Sequence, residues 1–354
     1  MKGFIRLKSG KLVERDAFRT AVDRRTLLRL GAWAAMGAGL LPAAGRLGLF
    51  RPSAEAADSW RHAELSPEIT PVGRFYTVSK NLWDPIIDAR SWTLTITGLV
   101  DRPYVLDYDA LRQSAPFVQA YATLICIDNE IGGRLVGNAL WGGVRVRDLL
   151  ERAGVHGGAV DLRMEAADGY TDSIPIEKAM HPDTLLAWEM NGSTLTPAHG
   201  FPARMVIPGI YGMKNVKWIT RMEVVNYDYQ GFWQRRGWSD TAVVKTMTRI
   251  DTPGRRVSAG GEALVGGIAF AGDRGINKVE YSADGGLTWI EAELKEPLGP
   301  NAWRLWRGFH RFERGLHTLT ARAVDGTGEL QDPNPASPWP EGAQGYHRFL
   351  LDAR

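Results

Sequence analysis

Cys126 is the single cysteine of this 354-residue chain, set where an apolar stretch at 122–125 gives way to a segment rich in turn formers: Asp128, Asn129, Gly132, Gly133 and Gly137. A thiol at a strand-to-loop junction can be offered to a pocket as a metal ligand or a nucleophile. It can equally be a small buried hydrophobe. A second group of chemically capable residues lies at 199–218, where His199, Arg204 and Lys217 are interleaved with Gly209 and Gly212. The basic side chains can give charge-assisted hydrogen bonds to an anion, and the glycines let backbone amides approach a phosphate. Arg204 suits a two-point grip, whereas Lys217 is a point charge. Singly each is an ordinary surface residue; together they read as an anion cradle.

Elements of regular structure must bring these two groups together. A chain of this length with 44% hydrophobic residues can bury a large core and is expected to form two domains. Its 13 Trp, 40 Gly and 19 Pro point to a loop-rich fold dominated by strands. Residues 92–100 alternate as a half-buried strand, 122–125 form a short strand, and 144–150 lead into a helix. A turn and short strand at 168–175 precede a helix at 176–180, and 185–192 read as a strand and turn. After a linker at 251–256, short alternating strands are predicted at 263–270, 276–282, 303–309, 317–324 and 346–351, the pattern of a β-sandwich of immunoglobulin type.

The first 56 residues read as a leader. Arg24 and Arg25 precede a weakly apolar Gly/Ala-rich run at 30–45, and a small-residue site follows at 54–56. This is the pattern of a twin-arginine export signal, hence a periplasmic destination, with an uncleaved membrane anchor as the alternative. The leader holds 11 Lys/Arg and 4 Asp/Glu, a net of +7 against +3 for the whole chain, which leaves −4 for the remainder. The basic character therefore belongs to the leader, and no basic stripe is left to support nucleic-acid binding. One cysteine excludes an intrachain disulfide framework.

The words around Cys126 carry a resemblance. Thr123-Leu124, Cys126 and Asn129, followed by Gly137-Asn138-Ala139, Trp141, Gly143-Val144 and Asp148-Leu149-Leu150, are similar to the cofactor-binding heart of the sulfite oxidase family of molybdenum enzymes. The run from His199 to Trp218 resembles the same family at nearly every motif position, and 279–289 with 321–328 resemble its C-terminal dimerisation domain. The resemblance implies an α+β molybdopterin-binding domain at 57–245 and an all-β immunoglobulin-like sandwich at 246–354. It implies one molybdopterin whose dithiolene shares molybdenum with the Cys126 thiolate, a soft anionic ligand. His199, Arg204, Gly212, Asn215 and Lys217 would hold the cofactor, with Phe75 and Tyr76 near the pterin. Trp141 and Tyr170 would line the substrate side, and Arg348 would be lent by the sandwich. No haem site is expected in the chain.

Two departures bear on substrate. The loop at 78–81 lacks the arginine and histidine usual in the family, and 128–131 lack a further arginine, so Arg134 and Arg348 are the candidates to replace them. The expected activity is two-electron oxygen-atom transfer on a small sulfur oxyanion, with a periplasmic cytochrome c or a membrane haem protein as electron partner and a homodimer as the assembly. An S- or N-oxide reductase is the alternative, and a cofactor-free binding or assembly protein is the alternative of another class.

Overall fold

The computed structural model describes residues 64–354 with Trp60 and His62, and the backbone of two short strands, β1 (Phe4–Arg6) and β2 (Leu12–Glu14), which pair antiparallel. The paired arginines and the site at 54–56 lie outside the described residues.

Strand β3 (Thr93–Gly98) buries Leu94 and Ile96 on one face and turns its threonines to the other, the period of two that a half-buried strand requires. It lies in a sheet with β4 (Tyr104–Asp107), β7 (Asp161–Ala166), β8 (Thr171–Pro175) and β12 (Ile219–Val225), in the order β4-β3-β12-β7-β8. Only β3 and β12 run parallel. A second, antiparallel sheet has β5 (Val118–Ile125), β6 (Val136–Arg145), β9 (Leu185–Met190) and β10 (Ser193–Thr194), with β11 (Arg204–Val206) also on β9. Among the described residues the α-helices are short: α1 (Tyr108–Arg112), α2 (Val146–Ala153) and α3 (Ile176–Ala179). Val146, Leu149, Leu150 and Ala153 form one face of α2, which packs into a core with Leu94, Ile96, Met164, Met222 and Leu186 from both sheets.

The turn-rich reading of 126–143 is corrected by the structure. Only 126–135 is a loop; Val136–Arg145 is a strand paired with β5 from Ile125↔Val136 to Val118↔Gly143. Pairing on both edges outweighs the turn preference of its glycines, because β9 holds the opposite side.

The sandwich stacks β13 (Met247–Thr252), β15 (Glu262–Phe270), β18 (Glu293–Leu294) and β19 (Arg304–Arg311), in the order β13-β15-β19-β18, on a second sheet. That sheet has β14 (Arg256–Val257), β16 (Ile276–Ser282), β17 (Ile290–Glu291), β20 (Gly315–Asp325) and β21 (His347–Ala353), in the order β14-β21-β20-β16-β17. Val265, Val279, Tyr281, Trp306, Leu319 and Leu351 fill the space between them. The five predicted strands fall on β15, β16, β19, β20 and β21. The linker at 251–256 is shorter than predicted: Asp251 and Thr252 end β13, and Arg256 begins β14.

A third cluster joins the two regions. Ile125 and Ile127, on either side of Cys126, pack with Ile268, Phe270, Trp303 and Leu305 of the sandwich. Thr123 is tied to it as well, donating its N–H to Asn301 O at 2.9 Å and accepting from Trp303 N at 2.9 Å. Ile268→Ala should therefore cost about 2–5 kcal/mol in a urea melt and speed the reaction of Cys126 with an aromatic disulfide reagent. Unchanged stability and unchanged thiol reactivity would show that the sandwich does not support the Cys126 loop.

Candidate functional site

Cys126 is the first residue beyond β5 and is 7% exposed. Its N–H donates to Leu135 O at 2.9 Å, its carbonyl accepts from Asn129 N at 3.0 Å, and Asn129 Oδ1 accepts from Leu135 N at 2.8 Å. These bonds close the 126–135 loop on itself and fix where the sulfur sits. Burial pushes the thiol up to about 12, with a backbone hydrogen bond from Asp128 opposing it. A thiol so placed is a poor free nucleophile at neutral pH. A bound metal ion would hold it deprotonated, which is what a ligand role at this buried position requires.

Three tyrosines feel the charge of this position. Burial raises Tyr76, Tyr170 and Tyr211, and a charge at Cys126 raises each further. Gly212 makes the closest approach feasible: a Cβ there would stand 2.6 Å from the Tyr76 hydroxyl and 3.2 Å from Ile125 O.

The cradle is built from two loops and the strand between them. His199 closes the turn Pro197–His199, with Nε2 3.0 Å from Val72 O, and burial lowers its pKa. Its ring meets Phe75 edge-on at 5.7 Å, and Phe75 stacks on Tyr76 at 5.4 Å. Arg204, in β11, is 6% exposed and lies over the Trp141 ring at 5.0 Å. Its donors reach His199 O at 3.0 Å and, at 3.4 Å, Met205 O and Asn215 O. All three acceptors are carbonyls, and burial lowers the guanidinium to about 10. Lys217 donates to Ser79 Oγ at 2.8 Å and Ala198 O at 3.1 Å and lies 3.8 Å from Asp84. The stems of Arg204 and Lys217 converge on Gly200, where φ is +107° and a Cβ would stand 3.0 and 3.1 Å from their own Cβ atoms. A buried cation without a counter-charge is costly. The cradle therefore fits an anionic group, and the phosphate of a molybdopterin meets that requirement.

The other predicted residues take different places. Asn215 is a buried brace, accepting from Ile207 N at 2.7 Å and donating to Tyr211 O at 3.2 Å and Ile210 O at 3.3 Å. Trp141 is wholly buried, its indole N–H on Ala122 O at 3.0 Å, so it supports Arg204 and meets Phe75 edge-on rather than lining an open cleft. Arg348 is exposed on β21: strand alternation turns it away from the face of His347, whose Nδ1 accepts from Ile250 N at 3.0 Å. Arg134 is exposed too. Tyr170 is half-buried, its hydroxyl donating to Asp172 Oδ2 at 2.7 Å.

Sequence reasoning missed three charged residues. Lys214 and Asp172 are buried together at 3.1 Å. Lys214 occupies an unspecified position of the motif ending at Trp218, which hid it. Lys245 enters a cleft lined also by Ile125, Glu130, Tyr211 and Gln344, and donates to Gly342 O at 3.0 Å and Gln344 Oε1 at 2.9 Å. Its only signal was a lysine two residues before β13.

Burial lowers Lys217 to about 8, against the opposing charge of Asp84. Below that pH the ammonium is charged and attracts a dianion; above it the attraction is lost. Pyrophosphate binding to the cofactor-free chain should weaken about tenfold as pH rises past this value, the effect of one charged donor. Lys217→Met should remove the pH dependence in a calorimetric titration. Equal affinity on both sides of the transition would place the anion elsewhere.

Comparison with known proteins agrees with this geometry. Residues 81–233 match the oxidoreductase molybdopterin binding domain. The chain is 31% identical to a sulfite oxidase of Arabidopsis thaliana, over 83% of this chain and 91% of that protein. It is 33% identical to a sulfite oxidase of Gallus gallus, over 78% and 71% respectively. The sulfane dehydrogenase SoxCD from Paracoccus pantotrophus shares the fold, with a TM-score of 0.72 and 23% identity over 94% of this chain and 97% of that one. On these similarities the chain belongs to the sulfite oxidase family of molybdopterin-dependent oxidoreductases.

Proposed function

We propose that the protein catalyses two-electron oxygen-atom transfer on a small sulfur oxyanion or S-oxide in the periplasm, reached through its twin-arginine leader. A cytochrome c or membrane haem protein is the electron partner, and the sandwich makes a homodimer. The observation that carries the reading is that the chain buries both a thiol, Cys126, and a guanidinium, Arg204, whose hydrogen bonds reach carbonyls. The relatives are named for sulfite and the structural neighbour for sulfane, which supports a sulfur substrate.

Cys126 would be the protein's ligand to molybdenum, and His199, Arg204 and Lys217 would hold the pterin phosphate, with Gly212 admitting Tyr76 beside them. When bound, the molybdenum–dithiolene group supplies the two-electron couple. The chain's own part is to enclose it: Phe75, Trp141 and Ile125 exclude water from the cradle side. Tyr170 reaches Met213 O, next to Gly212, at 2.9 Å, so its hydroxyl oxygen can meet a water or a donor on that side. Cys126→Ser should keep the fold and the pterin and lose nearly all turnover, since a neutral hydroxyl replaces a thiolate. Full activity of this variant, assayed by dye reduction, would remove Cys126 from the metal.

Reduction of an S- or N-oxide is the second reading, favoured by the cleft beside Cys126. Among its lining residues the cation is Lys245 and the carboxylate is Glu130. A dianion such as sulfite therefore meets little net positive charge, and each missing charged contact costs about 1.5–3 kcal/mol. Sulfite should be a poor substrate, and Glu130→Arg should lower its KM by about tenfold or more while leaving that of a neutral S-oxide nearly unchanged. Efficient wild-type oxidation of micromolar sulfite would contradict this account of the cleft.

A further inference from the structure

A chain of charged groups outside the cradle runs from the surface to Tyr170. Asp172, in β8, is fully buried and accepts three hydrogen bonds. Tyr170 donates to Oδ2 at 2.7 Å, while Lys214 at 3.1 Å and Ser173 N at 2.9 Å share Oδ1. Lys214 is 2% exposed, and its other bonds go to Ser173 O at 2.8 Å and to Oδ1 of Asp240 at 3.4 Å, whose side chain is 41% exposed. The charged and titratable groups facing Asp172 are thus Lys214 from the turn Gly212–Lys214 and Tyr170 from its own hairpin. Asp240 lies behind Lys214, and Asp168 and Cys126 lie near Tyr170.

Three donors with complementary hydrogens are what an ionised carboxylate wants, and a neutral one could not accept them all as well. The Tyr170 hydroxyl has one proton and two nearby acceptors, Asp172 and, at 2.9 Å, Met213 O. The carboxylate is the closer and the charged one, so it accepts the hydrogen bond. This leaves the Tyr170 oxygen able to accept a proton itself.

We propose that Asp172 is the proton acceptor of the site, acting through Tyr170, and that Lys214 holds it ionised. The inference rests on the oxygen-transfer reading above. A water that gives its oxygen to the substrate releases two protons, and two electrons leave for the haem partner. One proton passes to the Tyr170 oxygen as Tyr170's own proton moves to Oδ2 of Asp172; the other goes to solvent. In the reductive direction the same pair returns the proton. Burial raises Asp172 while Lys214 opposes it, a balance suited to a group that must take up and release a proton.

The test uses the full-length holoenzyme, with the cofactor-free chain as an independent arm. Asp172→Asn should keep molybdenum content and KM and lower kcat by about 10²-fold, flattening the pH profile. Lys214→Arg should retain most activity, whereas Lys214→Met should behave like Asp172→Asn. In a Tyr170→Phe background, adding Asp172→Asn should cost no more than about twofold, as expected for residues acting in series. Should Asp172→Asn fail to fold, Asp172→Asn/Lys214→Met removes both buried charges and should show the same loss. In the cofactor-free chain, the infrared carboxylate band removed by Asp172→Asn should be present at neutral pH, and its midpoint should move upward in Lys214→Met. A wild-type pH profile in Asp172→Asn, or a protonated carboxyl at neutral pH, would overturn the proposal. An inactive wild type would count against the oxygen-transfer reading, and the infrared titration would still decide the role of Asp172.

Discussion

The architecture depends on a positive charge kept away from water. Arg204 is almost wholly enclosed, its guanidinium resting on Trp141 and hydrogen-bonded to the carbonyls of His199, Met205 and Asn215. Burial without a carboxylate weakens the protonated form, yet the side chain is held by a strand, a turn and an aromatic ring at once. Such a site stores affinity for an anion: a ligand phosphate supplies the counter-charge that the protein withholds. Trp141, His199 and Gly200 touch this side chain, and Phe75 backs both rings.

Cys126 is constrained by a different means. It stands at the end of β5, in a loop closed by Asn129 and flanked by two isoleucines that belong to a core shared with the sandwich. The sandwich therefore does more than add mass: Trp303 and Asn301 bond directly to Thr123, three residues before the thiol. Positional precision at the sulfur comes from packing, and electrostatic bias at the cradle comes from burial. The two meet where Gly212 admits Tyr76 next to Ile125 O.

Much of this was legible in the sequence. The cysteine at a strand end and the alternating strands of the sandwich are local patterns that match the observed elements, and the spacing of Arg204 and Lys217 brings their stems together at Gly200. What escaped was tertiary. The glycines of 137–143 are turn formers locally, yet pairing on both edges makes them a central strand. Trp141 and Arg348 were assigned to the substrate side by motif position; burial and strand alternation place the first in the core and the second at the surface. Lys214, Asp172 and Lys245 carry no pattern of their own, because their meaning comes from partners distant in sequence.

The central claim is that Cys126 supplies sulfur to molybdenum. X-ray absorption at the molybdenum edge of the purified protein, beside Cys126→Ser, tests it without reference to any substrate. The account predicts molybdenum equimolar with the chain, and one sulfur neighbour fewer in the variant than in the wild type. Identical sulfur coordination in the two proteins, or a wild type that binds no molybdenum when supplied with cofactor, would contradict it.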